Sequence, residues 1–396
     1  MPRHKPKYRL PRAGGRAGPS LLLWLLLLVV LVTAIWFFWP FHKAKTAKTT
    51  APVKKSVVQS VAPAPWVQPL VLKLPPVANP VTKPIPIVVP ALPSPATSAP
   101  PVVVNPAPNR FPRPVFNPFE AQVALARMAI SPGSIDGAAG SQTKLALQQF
   151  QRANRLPATG LLDPPTRAAL TLDDSPYTDY TVTANDLARL QPIGKTWLEK
   201  SEQTALAYET VAELVGEFSH SHPALIRQLN PNVDWAAIST GTVLKIPDVQ
   251  YPDPSDKAAL VIIHLSGKYL EAWDQASNLL LHCPCSIAAH VEKRPVGLLH
   301  VVTVIPHPNY TFDPAIFPES PEARAIGHKL VLPPGPNNPV GVAWMGLDRP
   351  GYGMHGTPAP EQVGRTESHG CFRLANWDAE YLVKLVWVGM PVQVVP

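Results

Sequence analysis

Cysteine is scarce in this chain, three residues in 396, which rules out a disulfide framework. Cys283 and Cys285, in His282-Cys283-Pro284-Cys285, lie two apart on one face of a strand, as two small buried hydrophobes or as a strained pair that an oxidising compartment could close, leaving Cys371 as the odd thiol. Cys-X-Cys alone is a weak metal signal. No Gly-rich phosphate loop and no other nucleotide or cofactor motif occurs, and the isolated glycines of the C-terminal third read as turns. Acidic residues are missing from the first 119 positions, which hold fifteen Lys and Arg; twenty basic and twenty-seven acidic residues follow. The net charge of +8 is therefore carried by the amino-terminal region, and the rest is about 7 units negative. That excludes the basic folded face through which nucleic acid is bound.

What the chain has in excess is proline, 51 residues. Residues 1–19 carry six Lys and Arg, and Leu21 to Trp39 are apolar but for Thr33, with Trp36, Phe37, Phe38 and Trp39 at the far end. A run of that length spans a hydrocarbon core of about 30 Å, and it exceeds the apolar region of a cleaved signal peptide. The expectation is a cytoplasmic basic tail (1–19) and a single-pass inner-membrane anchor (20–40), with the remainder outside the membrane, in the periplasm. Residues 41–114, as in VLKLPPVANPVTKPIPIVVP, lack the donors for a sheet and read as an extended polyproline II tether.

Helical patterns begin near residue 115. Phe119, Val123, Ala126, Met128 and Ile130 form an approximate apolar face, Ser134-Ile135-Asp136-Gly137 reads as a turn, Thr143 to Ala153 as a second helix, and Asp163-Pro164 as the cap and first turn of a third. The run GSIDGAAGSQTKLALQQFQRANRLPATGLLDPPTRAAL resembles the peptidoglycan-binding domain type 1, a three-helix module, assigned here to 115–173. In 178–250, strand patterns at Tyr180–Val182 and Val243–Ile246 enclose helical ones at Tyr208–Phe218 and Pro223–Leu229; LIRQLNPN and GTVLKIPD resemble the second half of a LysM domain, a βααβ glycan binder, although Leu187 to Ala205 is longer than that family's first connection. From 256 to 396 strand patterns dominate (Leu260–Leu265, Lys268–Asp274, Leu298–Ile305, Val340–Leu347, Pro391–Val395), with one helix from Trp377 to Val388 for which Asn376 is the expected cap.

The chemistry concentrates in HGTPAPEQVGRTESHGCFRL, His355 to Leu374. A thiol attacks as thiolate and needs a base or positive field to lower its pKa from about 8.5. His355, sixteen residues before Cys371, is the natural base, and an unperturbed histidine is neutral enough at pH 7 to serve. Gly370 permits a tight turn whose N–H groups, with that of Cys371, converge as an oxyanion hole requires. Arg373 offers a fork for a carboxylate, Ser368 braces the loop, and His369 holds or orients it. His355, His369 and Cys371 are also competent zinc ligands, but zinc accounts for neither Gly370 nor Arg373, so no metal is expected.

The strings His355-Gly356-Thr357 and Ser368-His369-Gly370-Cys371-Phe372-Arg373-Leu374, with PPGPNNPVGVAWMGL (Pro333 to Leu347) and Gly351-Tyr352-Gly353 upstream, resemble the signature of the L,D-transpeptidases, the YkuD-type enzymes of bacterial cell walls. The resemblance implies a multidomain protein whose mainly-β catalytic domain, sandwich-like with a helix, follows the two wall-binding modules. It implies thioester chemistry on peptidoglycan tetrapeptide stems giving 3-3 cross-links, with peptidoglycan as partner and no cofactor. It also implies that the carbonyl of Gly356 orients His355, and that Tyr352, Trp344 and Asn338 shape the substrate cleft. A hydrolytic L,D-carboxypeptidase and a wall-binding tether with an inactive third domain are the alternatives; the oligomeric state stays open.

Overall fold

The computed structural model describes residues 110–366, 368 and 370–396. The expected tail (1–19), the anchor (20–40) and all but the end of the linker (41–114) lie outside these residues. The inner-membrane, single-pass placement is corrected: among the described residues no helix is long and apolar enough to cross a membrane. One of the longer of them, Ser141–Ala153, has 13 residues and rises about 20 Å at 1.5 Å per residue, short of a bilayer core.

The helical module comprises α1 (Pro118–Ala126), α2 (Ser141–Ala153) and α3 (Pro164–Ala169), with β1 (Arg113–Pro114) and β2 (Thr171–Leu172) paired antiparallel across its ends. Its helices start where the side chains dictate. Asn117 accepts from the Glu120 amide ahead of α1, and Asp163 accepts from the Thr166 amide with proline at the first turn of α3. Gly137 takes the positive φ of the Asp-Gly turn, 77°. Phe119, Val123, Leu125, Leu147 and Phe150 fill its core.

The next module pairs β3 (Tyr177–Thr181) antiparallel with β4 (Val243–Pro247). Between them lie α4 (Ala184–Ala188), α5 (Trp197–Glu202), α6 (Val211–Phe218) and α7 (Pro223–Leu229). The helices α6 and α7 complete a βααβ outline, while α4 and α5 occupy the long first connection. Each of those two short helices opens with a capping box, Thr183 with Asp186 and Thr196 with Glu199.

The C-terminal domain holds one eight-stranded sheet, ordered β13-β12-β11-β8-β14-β5-β6-β7. In chain order these are β5 (Leu260–His264), β6 (Tyr269–Trp273), β7 (Leu279–Pro284), β8 (Gly297–Pro306), β11 (Ala343–Leu347), β12 (Gly353–His355), β13 (Phe372–Arg373) and β14 (Pro391–Val395). The separate pair β9 (Tyr310–Phe312) and β10 (Leu330–Leu332) flanks α8 (Pro321–Ile326). The domain is mainly β with one principal helix, α9 (Asn376–Leu385), but its strands form a single curled sheet rather than two stacked ones. Ser286, just past β7, exchanges both backbone hydrogen bonds with Arg373 (2.9 and 3.0 Å), so the two ends of the sheet meet around a core that includes Val261, Leu281, Met345, Phe372 and Leu382. Cys283 and Cys285 are free thiols in that core, fully buried, and burial pushes both pKa values up. The edge strand β7 is capped by the helical module: Ser131 N–H donates to the His282 carbonyl (2.7 Å) and His282 N–H to that of Ala129 (2.9 Å). An edge covered in this way is protected from pairing with other chains.

All three units meet at Asp378 in the first turn of α9. Its fully buried carboxyl accepts from Tyr251 Oη (2.5 Å) and from Ser131 Oγ of the helical module (3.2 Å), and His220 of the βααβ module stacks on the neighbouring Trp377 (5.3 Å, 7°). Burial raises the Asp378 pKa to about 7, against the two hydrogen bonds. A carboxyl with a raised folded pKa stabilises fully below its unfolded value of about 3.9, and that contribution is lost as pH rises through about 7. Asp378→Asn, with no proton to lose, is therefore expected to gain about 2 kcal/mol relative to the native chain between pH 5 and pH 8. Paired urea melts at the two pH values measure this; a difference that does not change with pH refutes it.

Candidate active site

The cleft is built where two short strands run parallel. β12 and β13 pair with Met354 opposite Phe372 and His355 opposite Arg373, so Cys371, one residue ahead of β13, comes beside Gly353. The Leu374 amide donates to the His355 carbonyl (2.8 Å) and secures the pair. On the other side, Trp344 of β11 lies in register with His355, their rings stacked at 5.7 Å and 25°. Gly353 must lack a side chain, since a Cβ there would stand 2.7 Å from the Trp344 ring.

His355 is buried, and its Nδ1 lies 2.6 Å from the carbonyl oxygen of Gly356. A carbonyl only accepts, so Nδ1 carries the proton and Nε2 holds the lone pair of the neutral ring. Burial lowers the His355 pKa to about 4, with the Gly356 bond opposing and Arg373 assisting, so the ring is neutral well below pH 6.5, not the unperturbed base the sequence suggested. Burial also raises the Cys371 thiol, which the Gly353 backbone and the Arg373 charge only partly offset. The thiol donates to the Gly351 carbonyl at 3.4 Å. The resting pair is therefore thiol and imidazole, both uncharged, rather than a preformed ion pair.

The expected site residues separate into three groups. Ser368 Oγ donates to the Cys371 carbonyl (2.6 Å) and accepts from the Gly370 amide (3.2 Å), and the Ser368 backbone pairs with Ile287 and Ala289. The Gly370 N–H is thereby engaged inside its own loop in the resting site. Tyr352 lies over Gly370, where an added Cβ would stand 3.8 Å from the phenol ring, and Arg349 covers another part of that ring at 4.7 Å. Half-buried Arg373 shares its field with Cys371 and Tyr310. Asn338 is fully buried, donates to the Pro333 carbonyl and accepts from the Val340 amide, so its polar atoms close the PPGPNN loop instead of facing a substrate. His369 lies outside the described residues.

Sequence reading missed two participants. Asn376 makes no side-chain cap on α9. Its Oδ1 accepts from the Thr357 (3.0 Å) and Val342 (3.3 Å) amides and its Nδ2 donates to the Pro336 carbonyl, tying the His355 loop to the PPGPNN loop. A Cβ on Gly341 or Gly356 would strike that Oδ1 at 2.0 or 2.3 Å, so both positions require glycine. Tyr310, on β9, feels the charges of Cys371 and Arg373. Neither could be read from local pattern, because the partners of each lie on distant segments of the chain.

The profile of the YkuD family, described as the L,D-transpeptidase catalytic domain, matches residues 258–394, and that of a "Putative peptidoglycan binding domain" matches 118–170. A "Putative L,D-transpeptidase in ATP synthase subunits region ORF 5" of Fuscovulum blasticum is 32% identical over 136 residues, which are 34% of this chain and 69% of that one. The chain belongs to the L,D-transpeptidase family. The "Putative L,D-transpeptidase YkuD" of Bacillus licheniformis is 24% identical over 48% of this chain and 94% of its own length. The "Probable L,D-transpeptidase YbiS" of Escherichia coli is 31% identical over 42% of this chain, which spans about half of it, 54%. Among solved structures, an L,D-transpeptidase from Mycobacterium smegmatis aligns over 40% of this chain and 76% of its own, at 19% identity and a TM-score of 0.28. This L,D-transpeptidase thus carries a peptidoglycan-binding domain ahead of its catalytic domain, and peptidoglycan is its partner.

Proposed function

We propose that this L,D-transpeptidase joins tetrapeptide stems of peptidoglycan through a thioester on Cys371, with His355 as general base. The observation that carries the reading is the neutral imidazole locked by Gly356, its lone-pair nitrogen on the strand beside the thiol. As sulfur attacks the carbonyl carbon at the third residue of the donor stem, the Sγ proton passes to Nε2 of His355. The tetrahedral adduct collapses with cleavage of the C–N bond, and Nε2 returns the proton to the departing D-alanine amine. A side-chain amine of the acceptor stem then attacks the thioester, loses a proton to Nε2, and expels the thiolate, which regains that proton. The product is an amide between two third residues, a 3-3 cross-link.

A neutral resting pair suits this sequence, because charge separates only as the new bond forms and costs nothing in the unloaded site. Arg373 supports recognition of a stem carboxylate. Residues 177–247, with their βααβ outline, we read as a LysM-like glycan contact.

The test is mass spectrometry of disaccharide-tetrapeptide incubated with the full chain. The expected product is a dimer lighter than two substrates by one alanine and released free D-alanine. Tripeptide without dimer identifies a carboxypeptidase instead, and unaltered substrate identifies a tether with an inactive catalytic domain.

A further inference from the structure

The hairpin β9–β10 shares no strand pairing with the eight-stranded sheet. Its apolar residues Phe312, Ala323, Leu330 and Leu332 are buried around Leu206, with Ile193 and Trp197 packed against them. Among the described residues this cluster shares no member with the catalytic core. The hairpin is thus seated by the connection between β3 and α6, a part of the βααβ module. Trp197, the first residue of α5, lies flat on Phe312 (4.5 Å, 15°) and reaches Tyr310 and Phe317, each at 6.1 Å. Its backbone N–H donates to Glu322 of α8 (2.5 Å).

A second contact locks the same connection to the loop after β10. Leu206 N–H donates to the Pro334 carbonyl (2.9 Å) and Asn337 N–H to that of Leu206 (3.0 Å). The Asn337 amide bridges Ala207 and Glu213. This approach is open only because residue 335 is glycine: a Cβ there would lie 2.0 Å from the Leu206 oxygen. The same loop reaches the catalytic residues through Asn376, which donates to the Pro336 carbonyl and accepts from the Thr357 amide of the His355 loop.

We propose that Trp197 is a positioning residue of the transpeptidase cleft: through its stack on β9 it seats the β9–β10 hairpin and the loop after β10 that Asn376 ties to the His355 loop, so that docking of the βααβ module sets the affinity for the stem peptide. The inference rests on the reading of Cys371 as the acylated nucleophile. With the stack removed, the hairpin samples positions that do not receive substrate. Apparent affinity then falls in proportion to the competent fraction, while the thiol and imidazole keep their geometry.

The full chain carrying Trp197→Ala is expected to raise KM for the tetrapeptide about tenfold with kcat within about twofold. Amide exchange across 310–332 should accelerate, while the pH profile of Cys371 alkylation by iodoacetamide stays in place. Trp197→Phe should restore most of the affinity. Gly335→Ala, whose Cβ would force Leu206 away from the loop after β10, breaks the second contact of the same module, should raise KM in the same way and serves if Trp197→Ala does not fold. A native KM in either folded variant overturns the proposal, as does a loss of activity that follows the unfolded fraction at constant KM. Turnover by Cys371→Ala would instead defeat the nucleophile reading on which it rests, whatever Trp197 does.

Discussion

Cys371→Ala is expected to abolish acyl transfer, with kcat/KM for stem-peptide turnover falling by more than about 10⁴-fold, and to leave the fold in place. The sulfur donates weakly to the Gly351 carbonyl and its residue is only partly buried, so its removal opens no core cavity. The residues that hold the loop, Ser368 through its hydroxyl and backbone and Arg373 through its bonds to Ser286, do not need the thiol. An unchanged urea midpoint with no D-alanine release is the expected pair of observations, together with loss of the acyl-enzyme mass that the native chain shows. Retained pull-down on peptidoglycan sacculi would show the helical module working independently. Cross-linking at a native rate would end the thioester mechanism.

His355→Gln is expected to lower kcat/KM by about 10²–10⁴-fold and to erase the acid limb of its pH profile. The sign follows from burial. In the proposed mechanism His355 acts as a base only when neutral, and burial lowers its pKa to about 4. The native enzyme should therefore hold its kcat/KM from pH 8 down to about 5 and lose it below about 4, not near the 6.5 of an exposed histidine. Because the Cys371 thiol is pushed up by burial, its alkylation should keep rising toward alkaline pH instead of levelling off near neutrality. A profile of kcat/KM that breaks near 6.5, or an alkylation rate constant from pH 5 to 8, would mean that the two groups form an ion pair at rest and that the neutral mechanism is wrong. Glutamine at 355 also gives up the stack on Trp344, so its stability should be measured alongside.

Elements with their own local signals were legible without coordinates. Pro223–Leu229 and Pro391–Val395 fall where the pattern placed them, and Asp163 caps α3 as its neighbours Pro164 and Thr166 demand. The strands of the cleft were not legible: β12 and β13 have three and two residues, too few for any periodicity, and exist because each lies against the other. The first connection of the βααβ module was noticed only as too long, and its purpose, to seat β9–β10, depends on residues far along the chain, such as Phe312 beneath Trp197. The two asparagines exchanged expectations for a related reason. Asn338 turned inward to close a loop and Asn376 turned away from its helix end to join two others, because an amide side chain is satisfied by whichever backbone groups the fold leaves unpaired.

Residue order alone determined the chemical inventory: a thiol, an imidazole and a guanidinium in one short stretch, preceded by a helical wall-binding module. Such signals are local, carried by residue types and their spacing. Tertiary structure decided the state of that inventory. Which nitrogen of His355 holds the proton, that thiol and ring rest uncharged, and that a neighbouring module seats the β9–β10 hairpin all follow from desolvation, packing and backbone pairing between distant segments. Those are properties of what surrounds a group in space, which no stretch of sequence contains.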